Sequence, residues 1–398
     1  MIVDTSAIVA IVLNEPERER LVEAIVDATD PQVSAASRVE IAAVLVRRLT
    51  PEDYRRVERL IERLLGSHHY GERWARHWLD VVRYADTNGY EVDGVKPLAW
   101  KYRDWVIDAH NADVPWNRFL VEQLAGDELV KPPYKDLSPE QVQLLTATGY
   151  LRTAPDGTAG TNNVANRNQV IAETLNVVST SILGLTVGCA QCHNHPSVDT
   201  YTQQDYFGIF SYVQELPAKA NSEFESVFEP GKRTTGPRLP GGSEVDVPKF
   251  EKGQETEAAK FRPRLMLARD LPSAANPAFV RTSVNRLWAM LMGRGLIHPP
   301  HLDHPANPPS HPELLTRLQQ EFTSSKFDTR QLLREIILSR AYQRSSRLPE
   351  GVAAADLVDV AENRFRVALS KPLSPEQLAW SLMIATGNHR RMLDGKVP

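Results

Sequence analysis

A chain of 398 residues, 42% hydrophobic and 24% charged, is long enough to bury more than one core and has the balance of an ordinary globular protein. Its formal net charge of -4 supplies no general field that would gather nucleic acid, so contact with a polyanion would need a local patch. Two cysteines make no disulfide framework, and no stretch reaches the roughly 20 apolar residues that cross a bilayer, so neither a cysteine-stapled fold nor a membrane span is expected.

Met1-Ile2-Val3 reads as a strand that ends at Asp4, followed by an apolar helix from Ala7 and a second helix from Pro16 to Ala28. Val33 to Ser37 then forms a short strand and turn opening a helix that carries Glu40. This β-α-α-β-α start resembles the amino terminus of PIN-domain nucleases of the VapC toxin type. The resemblance implies that Asp4 and Glu40 help hold Mg²⁺ for ribonucleolysis, with nucleic acid a partner only under this reading. Two carboxylates are few for a site that holds its ion by converging oxygens, and the bland roles are a helix cap at Asp4 and a solvated Glu40. Residues 1–48 are therefore read as a partial PIN-like segment. The apolar run from Ala7 to Leu13 lacks a basic flank, so no export signal is read and the chain as written is expected in the cytoplasm.

From Thr50-Pro51-Glu52-Asp53 the pattern turns helical, opened by a capping Thr with Pro in the first turn. In the following segment Trp74, Trp78, Val81 and Ala85 recur at helical spacing as an apolar stripe, with Arg73, His77, Asp80 and Arg83 on another, solvated face. Trp100 to Leu124 reads as a second amphipathic stretch, with Asp127-Glu128 closing it in a turn after Gly126. Ser138-Pro139-Glu140-Gln141 opens a further helix by the capping-box pattern. Gly157 to Asn168 is polar and reads as a loop near the site, and the apolar helix Gln169 to Leu183 leads through Gly184 and Gly188 to Cys189.

Both cysteines fall in Cys189-Ala190-Gln191-Cys192-His193, the spacing at which two thiols capture the vinyl groups of a haem and the next histidine ligates its iron. The cofactor expected there is haem c, with Met266, Met290 and Met292 the methionines available for the opposite face. A zinc reading uses Cys189, Cys192, His193, His195 and Asp199, although ligands drawn from one short loop are strained. A reactive or inert dithiol is the third alternative. The aromatics Tyr206, Phe207, Phe210 and Tyr212 would form a core beside either site.

Residues 216–258 show almost no periodicity and read as a connecting segment. Helices return at Lys260 to Leu271, Phe279 to Met292, Pro312 to Phe322 and Thr329 to Ser339. Ser374-Pro375-Glu376-Gln377 starts a last one. His298, His301, His304 and His311 lie among prolines, with a spacing too scattered for a metal cluster.

His69 to Asp80, Ala85 to Tyr90, Gln123 to Asp127 and Gly184 to His195 together resemble one group, the paired uncharacterised domains of large secreted planctomycete proteins that often follow a cytochrome c domain. The second partner resembles Asn285 to Trp288, Gly293 to Leu296, Pro308 to Leu315 and Ala341 to Ser345. The resemblance covers about residues 50–398. It implies an exported or periplasmic, mostly helical protein with a haem-type or metal-binding motif, and no established reaction. Against that pattern the chain as written is expected to lack the signal peptide and cytochrome module, with the partial VapC-like segment in their place, and to be cut short soon after the Pro372-Leu373-Ser374-Pro375 helix start. Covalent haem attachment takes place outside the bacterial cytoplasm, so haem c is expected only if the chain is exported. The expectation is a mainly α fold of multi-helix domains with long loops, plus the small α/β fragment resembling half of a PIN domain. Its domains are 1–48, a motif-bearing helical domain at 50–215, a linker at 216–258 and a truncated helical domain at 259–398. The function read is a haem-binding redox or electron-transfer protein with an unidentified electron partner, the alternatives being a VapC-type ribonuclease and a zinc-binding scaffold.

Overall fold

The computed structural model describes residues 51–89, 93–131, 133–154, 164–195, 198–213, 222–225, 232–248, 262–344, 346, 365, 367–369, 371 and 373–388. The β-α-α-β-α opening with Asp4 and Glu40, and the capping Thr50, lie outside them. Among the described residues there are twelve α-helices and one two-stranded sheet, so the fold is mainly α as expected. None of these helices is long and apolar enough to cross a membrane. Proximity along the backbone gathers the chain into two compact units. The larger holds His68–Leu287 and Gly295–Thr329, and the smaller has its described part in 51–67, Trp288–Arg294 and 330–388.

In the larger unit, α2 (His69–Val81) packs on α3 (Ala99–Asn111). Tyr102, Trp105, Val106 and Ala109 of α3 are buried, the spacing of one helical face. The buried row of α2 is Tyr70, Gly71, Ala75 and Trp78, continued by Val82, rather than the predicted Trp74, Trp78, Val81 and Ala85. The helix ends at Val81, which leaves Ala85 exposed past its end. The single stretch read from Trp100 to Leu124 is two helices. Asp113 takes a left-handed φ of 55°, Pro115 forbids helical backbone before it, and α4 (Trp116–Leu129) starts afresh. Gly126 does not close a turn, because α4 runs past it with a kink at Ala125.

Trp78 meets Trp116 and Phe119 edge-on at 5.1 and 5.4 Å, and Phe119 stacks on Trp105 at 5.2 Å. Such pairs each add about 0.5–1.5 kcal/mol beyond burial. Buried Gln123 is the polar centre of this core: its Oε1 accepts from Trp78 Nε1 at 2.8 Å and from Tyr102 Oη at 2.6 Å. The predicted capping box of α5 (Pro139–Ala147) is present, with Gln141 N donating to Ser138 Oγ and Ser138 N to Gln141 Oε1. Asp127 and Glu128, read as turn residues, grip Arg264 of α8 (Pro263–Asp270), Asp127 through two 2.7 Å bonds.

α6 (Val164–Val178) and α7 (Gln203–Val213) flank the cysteine loop, and the segment read as connecting contains an antiparallel pair, β1 (Ser222–Glu225) and β2 (Lys232–Thr235). Two strands alone are marginal, and these lean on α7. Ser211 Oγ donates to Thr235 O at 3.1 Å, and Asp205 pairs with Arg238 and accepts from Gly241 N. α9 (Pro277–Met292) belongs to the larger unit up to Leu287, as does α10 (Pro312–Ser324).

The smaller unit holds α1 (Pro51–Leu65), most of α11 (Thr329–Leu338) and α12 (Pro375–Ala385). Val57, Ile61 and Leu65 of α1 are buried at a spacing of four, and Arg334 forks onto Glu62. α12 opens with the predicted Ser374–Gln377 capping box, yet Leu378, Trp380 and Leu382 on it are exposed.

His77 departs from the solvated face predicted for it. It is half-buried, and burial, then the Arg73 and Arg76 guanidinium groups, push its pKa down to about 4 from 6.5. A histidine held neutral in the fold stabilises fully above pH 6.5, and that contribution is lost as pH falls from 6.5 towards 4, because the unfolded chain takes up the proton first. The melting temperature is therefore expected to drop across that window and to drop less in His77→Gln. Identical pH profiles of thermal melts for the two proteins would contradict this.

Candidate functional site

A helix and the turn that continues it deliver the cysteines with little freedom. Leu175 and Val178 of α6, then Ile182 and Leu183 of the π-helical turn Ser179–Leu183, are buried. The extra residue of a π turn is a local irregularity often kept where function needs it. Gly184 ends it in the left-handed region at φ 66°, and Leu185 N bonds back to Ser179 O at 3.1 Å. A Cβ at Gly184 would stand 2.6 Å from Thr282 Oγ1, so no side chain fits this corner.

Val187–Gln191 then forms a 3-10 turn that buries Val187 and Ala190 and leaves Cys189 exposed, with Cys192 exposed at its C-cap. A 3-10 helix has three residues per turn, so positions three apart eclipse. Cys189 lies within the turn and Cys192, three residues on, at its C-cap, and both are free and exposed.

His193 follows, half-buried, with Nδ1 2.6 Å from Asn194 O. A carbonyl only accepts, so Nδ1 carries a proton. The loop is tied to α7: Gln203 N donates to Asn194 Oδ1 at 2.9 Å and Gln203 Nε2 to Gln191 O at 3.1 Å. Nothing in the sequence marked Gln203 for this role, since a glutamine in a first helical turn carries no signal of its own.

The other predicted residues go elsewhere. His195 sets its ring edge-on to Tyr201 at 5.8 Å and its N–H on Tyr201 O, and Asp199 is exposed in a turn. Among the described residues no three His, Cys, Asp or Glu side chains gather as a metal site, so the zinc set Cys189, Cys192, His193, His195 and Asp199 is not brought together, nor are His298, His301, His304 and His311. Met292 is buried in the core of the smaller unit.

Tyr206 and Tyr212 are buried as the predicted core, but the Tyr206 hydroxyl is sealed from solvent without a hydrogen-bond partner. Burial pushes its pKa well up, with the charges of Glu173 and Cys192 adding to the shift.

Residues 38–218 match the family PSCyt2, a protein of unknown function (DUF1549), and residues 263–398 match PSD1, a protein of unknown function (DUF1553). The chain is also similar to VapC ribonuclease Mb2780c of Mycobacterium bovis and to Ribonuclease VapC42 of Mycobacterium tuberculosis. Each is 47% identical over 68 residues, 17% of this chain and 49% of theirs, so the chain spans about half the length of these curated relatives. No solved structure matches.

Proposed function

Because the chain carries a DUF1549 and a DUF1553 domain in tandem, the pairing its motifs implied, we propose that the loop from Val187 to His193 holds a covalently attached haem c and that the protein passes electrons. The observation that carries the reading is the 3-10 turn, which leaves two free cysteines exposed three residues apart, immediately before a histidine whose Nδ1 lies 2.6 Å from Asn194 O. Cys189 and Cys192 would be the thioether anchors and His193 the axial ligand. These residues suit the group: both cysteines are free and exposed, and the His193 ring is held through Nδ1 by Asn194 O.

When bound, haem supplies reversible one-electron chemistry. The chain's own residues fix how the site is held. Asn194 O fixes the His193 ring orientation, and Gln203 pins the loop on both sides of the motif to α7. Val187 and Ala190 keep the opposite side of the turn dry. Haem c would require export, and the electron partner is undetermined.

Expression with a haem-maturation system and an export leader is expected to give a Soret band that survives acidic acetone extraction, and Cys189→Ser/Cys192→Ser is expected to lose it. A wild-type chain that stays colourless overturns the reading. One zinc per chain, lost on Cys192→Ser, would favour the zinc scaffold instead.

The 47% identity to VapC ribonucleases supports a second reading, a Mg²⁺-dependent ribonuclease built on Asp4 and Glu40. Under it Asp4→Asn abolishes Mg²⁺-dependent RNA cleavage, and cleavage undiminished in that variant excludes it.

A further inference from the structure

Within the larger unit, the corner at Gly184 and the turn after the motif are fastened to one residue of the proline-rich segment. Asp303 N donates to Gly184 O at 3.3 Å, and Asp303 O accepts from the Tyr201 hydroxyl. Tyr201 in turn holds the end of the motif run, since His195 N donates to Tyr201 O at 2.8 Å and the two rings meet edge-on at 5.8 Å. The run from Gly184 to His195, with Cys189, Cys192 and His193 inside it, is thus tied at entry and exit to the same residue.

Asp303 is itself fixed. Its Oδ2 accepts from Arg281 Nε of α9 at 2.6 Å, and its side chain is only 10% exposed. The segment around it is ordered by its own bonds: Leu302 N to Pro299 O at 3.1 Å, Asn307 N to His304 O at 2.9 Å and Asn307 Nδ2 to Leu302 O at 2.7 Å. It also closes on the corner directly, because a Cβ at Gly184 would stand 3.2 Å from Pro300 O.

Each of these bonds has a physical cause. A carbonyl at the end of a helical turn finds no partner inside the helix, so Gly184 O needs a donor from outside, and Asp303 N supplies it. Burial, then the Asp303 charge, push the Tyr201 pKa well up, so its hydroxyl keeps its proton and donates. A carboxylate this far out of water must be paired, and Arg281 pairs it. A loop whose ends move independently lets the side chains between them wander. Closing both ends on one fixed point removes that freedom before any ligand arrives.

We infer that Asp303 is the positioning residue of the motif loop: seated on Arg281, it closes the run from Gly184 to His195 at both ends and so sets how Cys189, Cys192 and His193 are presented. It acts through Gly184 and Tyr201. The redox consequence rests on the haem reading, and the fastening does not.

Hydrogen exchange on the haem-free full chain tests the fastening. Amides of 185–195 are expected to exchange about tenfold faster in Tyr201→Phe and in Asp303→Ala, each of which removes one bond, while amides of α3 and α4 keep their wild-type rates. Asp303→Asn still offers Arg281 an acceptor and is expected to stay near wild type. Unchanged rates in 185–195 of folded Tyr201→Phe or Asp303→Ala, or a rise that extends equally through α3 and α4, overturn the inference. Should Asp303→Ala fail to fold, Tyr201→Phe decides. In haem-loaded protein the reduction potential is expected to shift in Asp303→Ala and to return in Asp303→Asn. A potential equal in wild type and folded Asp303→Ala overturns the positioning role. A chain that never takes haem fails the haem reading alone, because the exchange measurement is made without haem.

Discussion

Gly126→Ala is expected to destabilise the larger unit by about 3 kcal/mol, the upper end of what overpacking a core costs. Elsewhere on a helix alanine would be the better residue by up to about 1 kcal/mol. Here a Cβ would lie 2.1 Å from Leu144 O and 3.0 Å from its carbonyl carbon. The obstacle is backbone, which cannot rotate aside as the end of a side chain would, so α4 and α5 must part. Parting them disturbs Gln123, Leu124 and Ala125, all buried on the same helix. Against a usual total of about 5–15 kcal/mol, such a loss leaves a visibly weakened protein. Urea unfolding followed by tryptophan fluorescence measures it, and an unchanged midpoint would mean that the two helices do not approach as described.

The second large effect is expected at Gln123, and its size depends on which partner is removed. Tyr102→Phe deletes a donor while Gln123 Oε1 keeps its 2.8 Å bond from Trp78 Nε1, so the cost should stay near the ordinary value of about 1 kcal/mol. Gln123→Leu removes the acceptor instead. Trp78 Nε1 still reaches Tyr102 Oη at 3.1 Å, but the tyrosine proton is stranded in a sealed core and Phe119 O loses the donor it had at 2.9 Å. Each stranded group costs about 1–3 kcal/mol, so Gln123→Leu should fall well below Tyr102→Phe in stability despite being the more apolar change. Equal unfolding midpoints for the two variants would refute the network.

What the sequence made legible follows from how local each cause is. The Ser-Pro-Glu-Gln runs at 138–141 and 374–377 carry their whole mechanism within four residues, and both are capping boxes. Helices begin at Pro263, Pro277, Pro312 and Pro375, where a fixed φ and a missing N–H suit a first turn. The motif from Cys189 to His193 was visible as spacing. Its 3-10 conformation was not, because Gly184 and the buried turn before it impose that shape from outside. Gly126 failed as a turn signal for a related reason: glycine also serves where two backbones nearly touch, and only the neighbouring helix distinguishes the uses. Gln123 and Gln203 were invisible since each is one polar letter in a helix, and the partners that give it meaning include residues 9 to 45 positions away.

The openness of the two thiols also bears on handling. The folded chain presents two free sulfhydryls at its surface, three residues apart. Such material closes on itself or cross-links to its neighbours in air. Preparations kept without a reductant will drift into mixtures of bridged species, and the ladder they leave on a non-reducing gel reports how far that oxidation has gone.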